Sequence, residues 1–170
     1  DSPFRGLPPE KAKERRRESR DLLDRLAACA NERQVDAVVL SGDLFDGEQV
    51  YRETLETLAR ALGQIRCPVL ISPGNHDPYH SRSPYRQVDW PGNVHVFSSA
   101  SISRVELERG VIYGAAFTAA EQGESLLAGF TAPPADKPQV MCLHADLRPG
   151  PYNPIAREEI AASGLDYLAL

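Results

Sequence analysis

Two stretches of the chain share one pattern, Leu40-Ser41-Gly42-Asp43-Leu44-Phe45-Asp46 and Ile71-Ser72-Pro73-Gly74-Asn75-His76-Asp77. An apolar run ends, a glycine follows, and then come side chains that bind protons and metal ions. Leu143-His144 closes a third apolar run with an imidazole. A turn needs the glycine and can use the asparagine, but it has no need of histidine and aspartate behind them. Taken singly, each residue has an ordinary explanation: Asp43 as a turn residue or helix cap, Asn75 as a turn residue, His144 as a satisfied buried histidine. Together they deliver a carboxylate, an amide oxygen and an imidazole from three strand ends. That donor set suits divalent ions such as Mn²⁺ or Fe²⁺. Cys29, Cys67 and Cys142 are scattered and form no CxxC pair, so a structural zinc site is not expected.

The elements that must position these groups can be read from periodicity. Residues 9–33 contain no glycine, and Leu22, Leu23, Leu26, Ala27 and Ala30 recur at helical spacing, which predicts a helix with a charged first half. Residues 36–40 form a β-branched run and predict a buried strand. A second helix is predicted over 49–64, with Tyr51, Leu55, Leu58, Ala59 and Leu62 as one apolar stripe. Residues 69–71 are the next strand. Short runs at 94–97, 102–108 and 111–113 predict an antiparallel meander with Arg109-Gly110 as a turn. A short helix over 121–130, a strand over 140–144, a helix over 155–163 stopped by Gly164, and a strand from 166 complete the series. The alternation predicts an α/β fold with a mixed sheet or two stacked sheets. It places Asp43, Asn75 and His144 at strand C-terminal ends, on one rim of a parallel sheet where ligands bind. His80 follows the second motif and is a candidate for lining a substrate cleft. His95 alternates within a strand and reads as structural.

Composition sets the outer bounds. The 170 residues are 42% hydrophobic and 25% charged, the size and make-up of one ordinary domain. A net charge of -5 excludes nucleic-acid binding by overall charge and leaves only a local patch. Lys11, Lys13, Arg15, Arg16, Arg17 and Arg20 cluster on the first helix. They either pair with Glu10, Glu14, Glu18 and Asp21 as a solvated face or contact phosphate, with Arg15, Arg16 and Arg17 as the candidates. No apolar run approaches the roughly 18 residues of a membrane span. An odd, dispersed set of cysteines, two of the three in apolar surroundings, reads as buried thiols in a reducing compartment, the cytoplasm.

Gly42-Asp43 followed by Gly74-Asn75-His76-Asp77 resembles the calcineurin-like metallophosphoesterases. With SGDLFD, GNHD, Leu143-His144 and the closing SGLDYLAL, the likeness extends over most of the chain and is to the DNA-repair nuclease branch, the Mre11, SbcD and YhaO-like group. The aspartate that ends GNHD argues against the protein serine/threonine phosphatases, which carry glutamate there. The resemblance implies a sandwich of two mixed β-sheets flanked by helices (α/β/β/α). It implies a phosphodiesterase, a DNA repair exonuclease, that uses two divalent metal ions, Mn²⁺ first and Fe²⁺ or Mg²⁺ as alternatives, with metal-bound hydroxide as nucleophile. Asp43 matches the carboxylate that bridges the ions, and Asn75 and His144 match ligands of the second one. His76 matches the group that assists the leaving oxygen, with Asp77 expected behind its imidazole. DNA and a coiled-coil ATPase of the SMC, Rad50 or SbcC sort are the implied partners.

The family's opening Asp-x-His and closing Gly-His-x-His are not found in the sequence. The expectation is therefore a single domain over 1–170 that lacks its first strand and its C-terminal ligand motif, truncated at both ends and inactive by itself. Two other functions fit the same residues: hydrolysis of a cyclic nucleotide or other small phosphoester, and a non-catalytic scaffold that binds DNA or a partner.

Overall fold

The structure is a computed structural model that describes residues 7–47 and 49–170, without the side chains of Arg16, Ser19 and Arg20. The expectations for Arg16 and Arg20 and for the first six residues lie outside the described residues. Helix α1 (Pro9–Arg33) opens on Pro9, whose fixed φ suits a first turn, and ends as Gln34 turns left-handed at φ 49°. Strand β1 (Val38–Leu40) follows, then α2 (Arg52–Gly63), β2 (Val69–Ile71) and β3 (Val94–Val96). The chain then makes β4 (Ser103–Glu106), β5 (Val111–Gly114), β6 (Gln139–Cys142), α3 (Arg157–Ala162) and β7 (Tyr167–Ala169).

The strands form two sheets, β1-β2-β3 and β4-β5-β6-β7. In the first, all three described strands run parallel. In the second, β4 is antiparallel to β5, while β5, β6 and β7 are parallel. The meander is therefore corrected. Only β4 and β5 form a hairpin, closed near Arg109-Gly110 by the Leu107 N–H donating to the Gly110 carbonyl at 2.9 Å. Residues 94–96 pair instead with β2, in register from Val69 opposite Val94.

Alternate side chains along the strands build the layers. Val69 and Ile71 of β2 join Leu55, Leu58, Leu62, Ala27 and Ala30, so α1 and α2 cover one face of the first sheet. Leu70, between them, packs with Phe97, Ile112 and Cys142, and this cluster fills the space between the sheets. Val111, Tyr113 and Met141 point the other way, toward Leu127, Ile155 and Ile160 of the second covering layer. The result is the expected α/β/β/α order. Each fully buried Leu or Ile removed from water contributes about 1.5–3 kcal/mol.

Four further sequence expectations about these elements differ from the structure. Tyr51 is not on the α2 stripe; it precedes the helix and is 74% exposed. Leu22 faces solvent, and Cys29 is exposed where a buried thiol was expected. Residues 121–130 form turns and no helix. There the Ser125 carbonyl accepts from Ala128, the Leu127 carbonyl from Phe130, and Gly129 turns left-handed at φ 70°. The Leu126 N–H is taken at 2.6 Å by the side chain of Asn153, a partner no local pattern reveals.

Candidate metal and phosphoester site

Three strand ends converge at one rim of the sandwich. Two come from the first sheet, β1 leading into Ser41-Gly42-Asp43 and β2 into Gly74-Asn75-His76. The third comes from the second sheet, where β6 leads through Leu143 to His144. The rim therefore belongs to both sheets and not to one parallel sheet. Two glycines let the chains approach this closely. Gly42 has φ 86°, and a Cβ there would lie 2.8 Å from the His144 Cβ and 2.9 Å from the Gly74 Cα. A Cβ on Gly74 would sit 2.7 Å from the Asp43 nitrogen and 3.0 Å from the His144 Cγ. Asp43 itself holds φ 52°, a conformation that costs a non-glycine residue about 1–3 kcal/mol and tends to be kept where function needs it.

The functional atoms meet at short range. His144 Nδ1–H donates to the Ser41 carbonyl at 2.9 Å, which fixes the neutral ring's tautomer and leaves Nε2 as an acceptor. That Nε2 lies 2.9 Å from Asn75 Oδ1 and 3.4 Å from Asp43 Oδ2. Three acceptors facing one another repel unless a cation joins them, so the donor set fits a divalent ion. The carbonyl behind the histidine is the support that metal-binding imidazoles ordinarily have. The other Asp43 oxygen accepts the His76 backbone N–H at 3.1 Å, which ties the β1 and β2 loops together. Among the described residues, no three His, Cys, Asp or Glu side chains gather in one place; the trio here is completed by an amide. Cys142 contributes no thiolate, because burial pushes its thiol up to about 11.

His76 stands beside this cluster with its side chain about half exposed, and its Nδ1 lies 3.2 Å from Asp46 Oδ1. The expectation that Asp77 supports this ring is corrected. Asp77 is fully buried and accepts from the Gly74 N–H at 2.7 Å, the Phe45 N–H at 3.0 Å and the Tyr85 hydroxyl at 2.7 Å. It braces both site loops from below. Burial, with Asp77 adding to it, holds the Tyr85 phenol well above its ordinary range.

A cleft of about 300 Å³ opens over the cluster, lined by Asn75, His76, His144, Ala145, Asp146 and Tyr152. His80 is not among its lining residues; its Nδ1 accepts from the Arg82 N–H at 3.2 Å. Arg15 pairs with Glu18 at 2.7 Å and Arg17 with Asp21 at 3.8 Å on the exposed face of α1. These are the intrahelical pairs of a solvated face, and each such exposed pair is worth a few tenths of a kcal/mol. Asn153 was missed in the sequence. Its buried side chain donates to the His144 carbonyl at 2.8 Å and holds the 145–154 loop against the site. Asp46 was visible in the sequence only as a second acid of the same loop, three residues after Asp43.

The sequence profile of the family described as calcineurin-like phosphoesterase matches residues 15–167. The chain is 30% identical, over its whole length, to an uncharacterized metallophosphoesterase, YhaO, of Bacillus subtilis, and spans 45% of that protein. It is 26% identical over 54% of its length to the D subunit of the SbcCD nuclease of the same organism, spanning 24% of that protein. With the strand ends, the loop glycines and the donor set in agreement, the chain belongs to the calcineurin-like phosphoesterase family, in its Mre11, SbcD and YhaO-like branch.

Proposed function

We propose that this chain carries one domain of a divalent-metal-dependent phosphodiesterase that acts on DNA as a repair exonuclease. The observation that supports this best is the meeting of Asp43 Oδ2, Asn75 Oδ1 and His144 Nε2 beside a cleft that Asn75, His76 and His144 line. Asp43, Asn75 and His144 would hold a divalent ion, Mn²⁺ by preference over Fe²⁺ or Mg²⁺. Bound divalent ions supply charge neutralisation for a phosphate and ready deprotonation of water. Asp43 is the one carboxylate of the trio and is the residue suited to sharing between two ions.

The remaining chemistry belongs to the chain's own residues. With Nδ1 engaged by Asp46, the His76 ring presents Nε2 as its other nitrogen. As an imidazolium it donates that proton to the oxygen leaving phosphorus, and the Asp46 carboxylate steadies the cation. Asp77 holds the Gly74 turn, and so the positions of Asn75 and His76, without touching substrate. The trio of Asp43, Asn75 and His144 would hold one ion. In the cytoplasm an SbcC-like ATPase would present the DNA.

The test is hydrolysis of linear double-stranded DNA, a cyclic nucleotide and bis(p-nitrophenyl) phosphate by the full-length protein, with Mn²⁺ and with chelator. Mn²⁺-dependent digestion of DNA from its ends supports the proposal. Cleavage of the small esters alone assigns the site to a small phosphoester. Absence of turnover on all three, with Mn²⁺ bound, leaves the scaffold function.

A further inference from the structure

The loop over residues 145–154 leaves two large apolar side chains in solvent, Leu147 at 54% and Tyr152 at 43% exposure. Tyr152 is also one of the residues that line the cleft beside His76 and His144. Exposed single apolar residues are ordinary on a surface. This one is unusual in how firmly its backbone is held. The Gln122 N–H donates to the Pro151 carbonyl at 2.7 Å, the Asn153 N–H to the Gln122 carbonyl at 2.6 Å, and the Asp146 N–H to the Tyr152 carbonyl at 3.1 Å. Asn153, next in the chain, is fully buried and bonded to the His144 carbonyl, so the position of Tyr152 is registered to that of the histidine. Among the described residues, no aromatic ring stacks on Tyr152 and no protein group bonds its hydroxyl. With its backbone held, an aromatic side chain has only two torsions to fix when a flat apolar ligand meets it.

We infer that Tyr152 is the wall that receives the base of a nucleotide whose phosphate lies at the Asp43, Asn75 and His144 cluster. The inference rests on the phosphoester reading of that cluster and narrows it to phosphoesters that carry an unpaired, planar base. A base stacked within a duplex has no free face to offer, so the ligand is a single-stranded end or a free nucleotide. Stacking on an aromatic side chain tolerates any base and affects affinity by about tenfold.

The test is calorimetric, with Mn²⁺ present, and needs no turnover. Adenosine 5′-monophosphate and ribose 5-phosphate carry the same phosphate and differ by the base. The wild-type protein should bind the nucleotide about tenfold more tightly. That ratio should fall to near one in Tyr152→Ala and persist in Tyr152→Phe. A wild-type ratio near one, a ratio that survives in Tyr152→Ala, or binding of neither ligand overturns the inference. An oligonucleotide compared with its counterpart abasic at the terminal residue separates the two sources. Preference for the base there assigns a strand end; preference confined to the mononucleotide assigns a free nucleotide. Failure to hydrolyse any phosphodiester while the base-dependent ratio stands would count against the proposed reaction alone.

Discussion

Asp77 holds three donors that have no water to turn to: the backbone N–H groups of Gly74 and Phe45 and the hydroxyl of Tyr85. Asp77→Ala should therefore cost stability, at least about 3 kcal/mol, because each orphaned buried donor carries its own desolvation cost. Asp46 is exposed and touches the His76 ring. Asp46→Asn should lower kcat by about tenfold or more and leave unfolding within about 0.5 kcal/mol of wild type. Thermal unfolding run beside turnover of bis(p-nitrophenyl) phosphate separates the two acids, and exchanged phenotypes would sink the assignment. His76→Ala should lower kcat by about a hundredfold with Mn²⁺ affinity retained, checked by titration calorimetry; loss of the metal instead would make His76 a ligand. Residue types and their order were enough to single out Asp43, Asn75, His76 and His144, which the structure brings to one rim. The resemblance misled at Asp77, which it set behind the His76 ring, although consecutive side chains in a turn point apart. The ring's actual neighbour comes from 30 residues earlier.

At the scale of elements, the site depends on how tightly three loops pass one another. Gly74→Ala would push a Cβ to 2.7 Å from the Asp43 nitrogen, so the β1 and β2 loops must separate. The expected outcome is a more than tenfold loss of Mn²⁺ affinity with unchanged far-UV circular dichroism, since the core lies elsewhere. Beneath these loops, residues 77–86 close over Asp77, and Phe45, Tyr85 and Trp90 pack around it with ring centroids 5.4 and 6.1 Å apart. Tyr85 is held protonated in the fold, while the unfolded phenol ionises near 10.0. The raised folded pKa contributes stability that is fully present below the unfolded value of 10.0 and is progressively lost as pH climbs above it. Stability should thus fall above pH 10, and Tyr85→Phe should flatten that alkaline decline while losing about 1.5–3 kcal/mol at pH 7 with the bond to Asp77. Denaturant titrations at pH 7, 9 and 11 measure both effects. The β-branched runs and the α2 stripe were legible because their partners repeat at fixed periods. The turns over 121–130 were not, because Asn153, 27 residues away, supplies the decisive bond.

At the scale of the molecule, function depends on stacking one sheet on the other. Asp43 and Asn75 arrive on the first sheet and His144 on the second, and the packing of Leu70, Phe97, Ile112 and Cys142 sets the distance between them. Phe97 lies across Gly114, where a Cβ would collide with its ring, so the sheets approach at a glycine. A ligand trio divided in this way binds its ion only when the sandwich is closed, so metal binding and folding are linked. The trio offers one oxygen from Asp43, one from Asn75 and one nitrogen from His144 to an ion that ordinarily takes about six donors, the rest being water. Calorimetry on the 170-residue chain should therefore find at most one Mn²⁺ per chain. Unfolding of that chain should move to higher temperature as Mn²⁺ rises. Asp43→Asn should abolish both the binding and the shift, because the amide removes the only negative charge among the three donors. Two ions bound per chain, or a shift that survives Asp43→Asn, would mean that ligands outside this trio hold the metal.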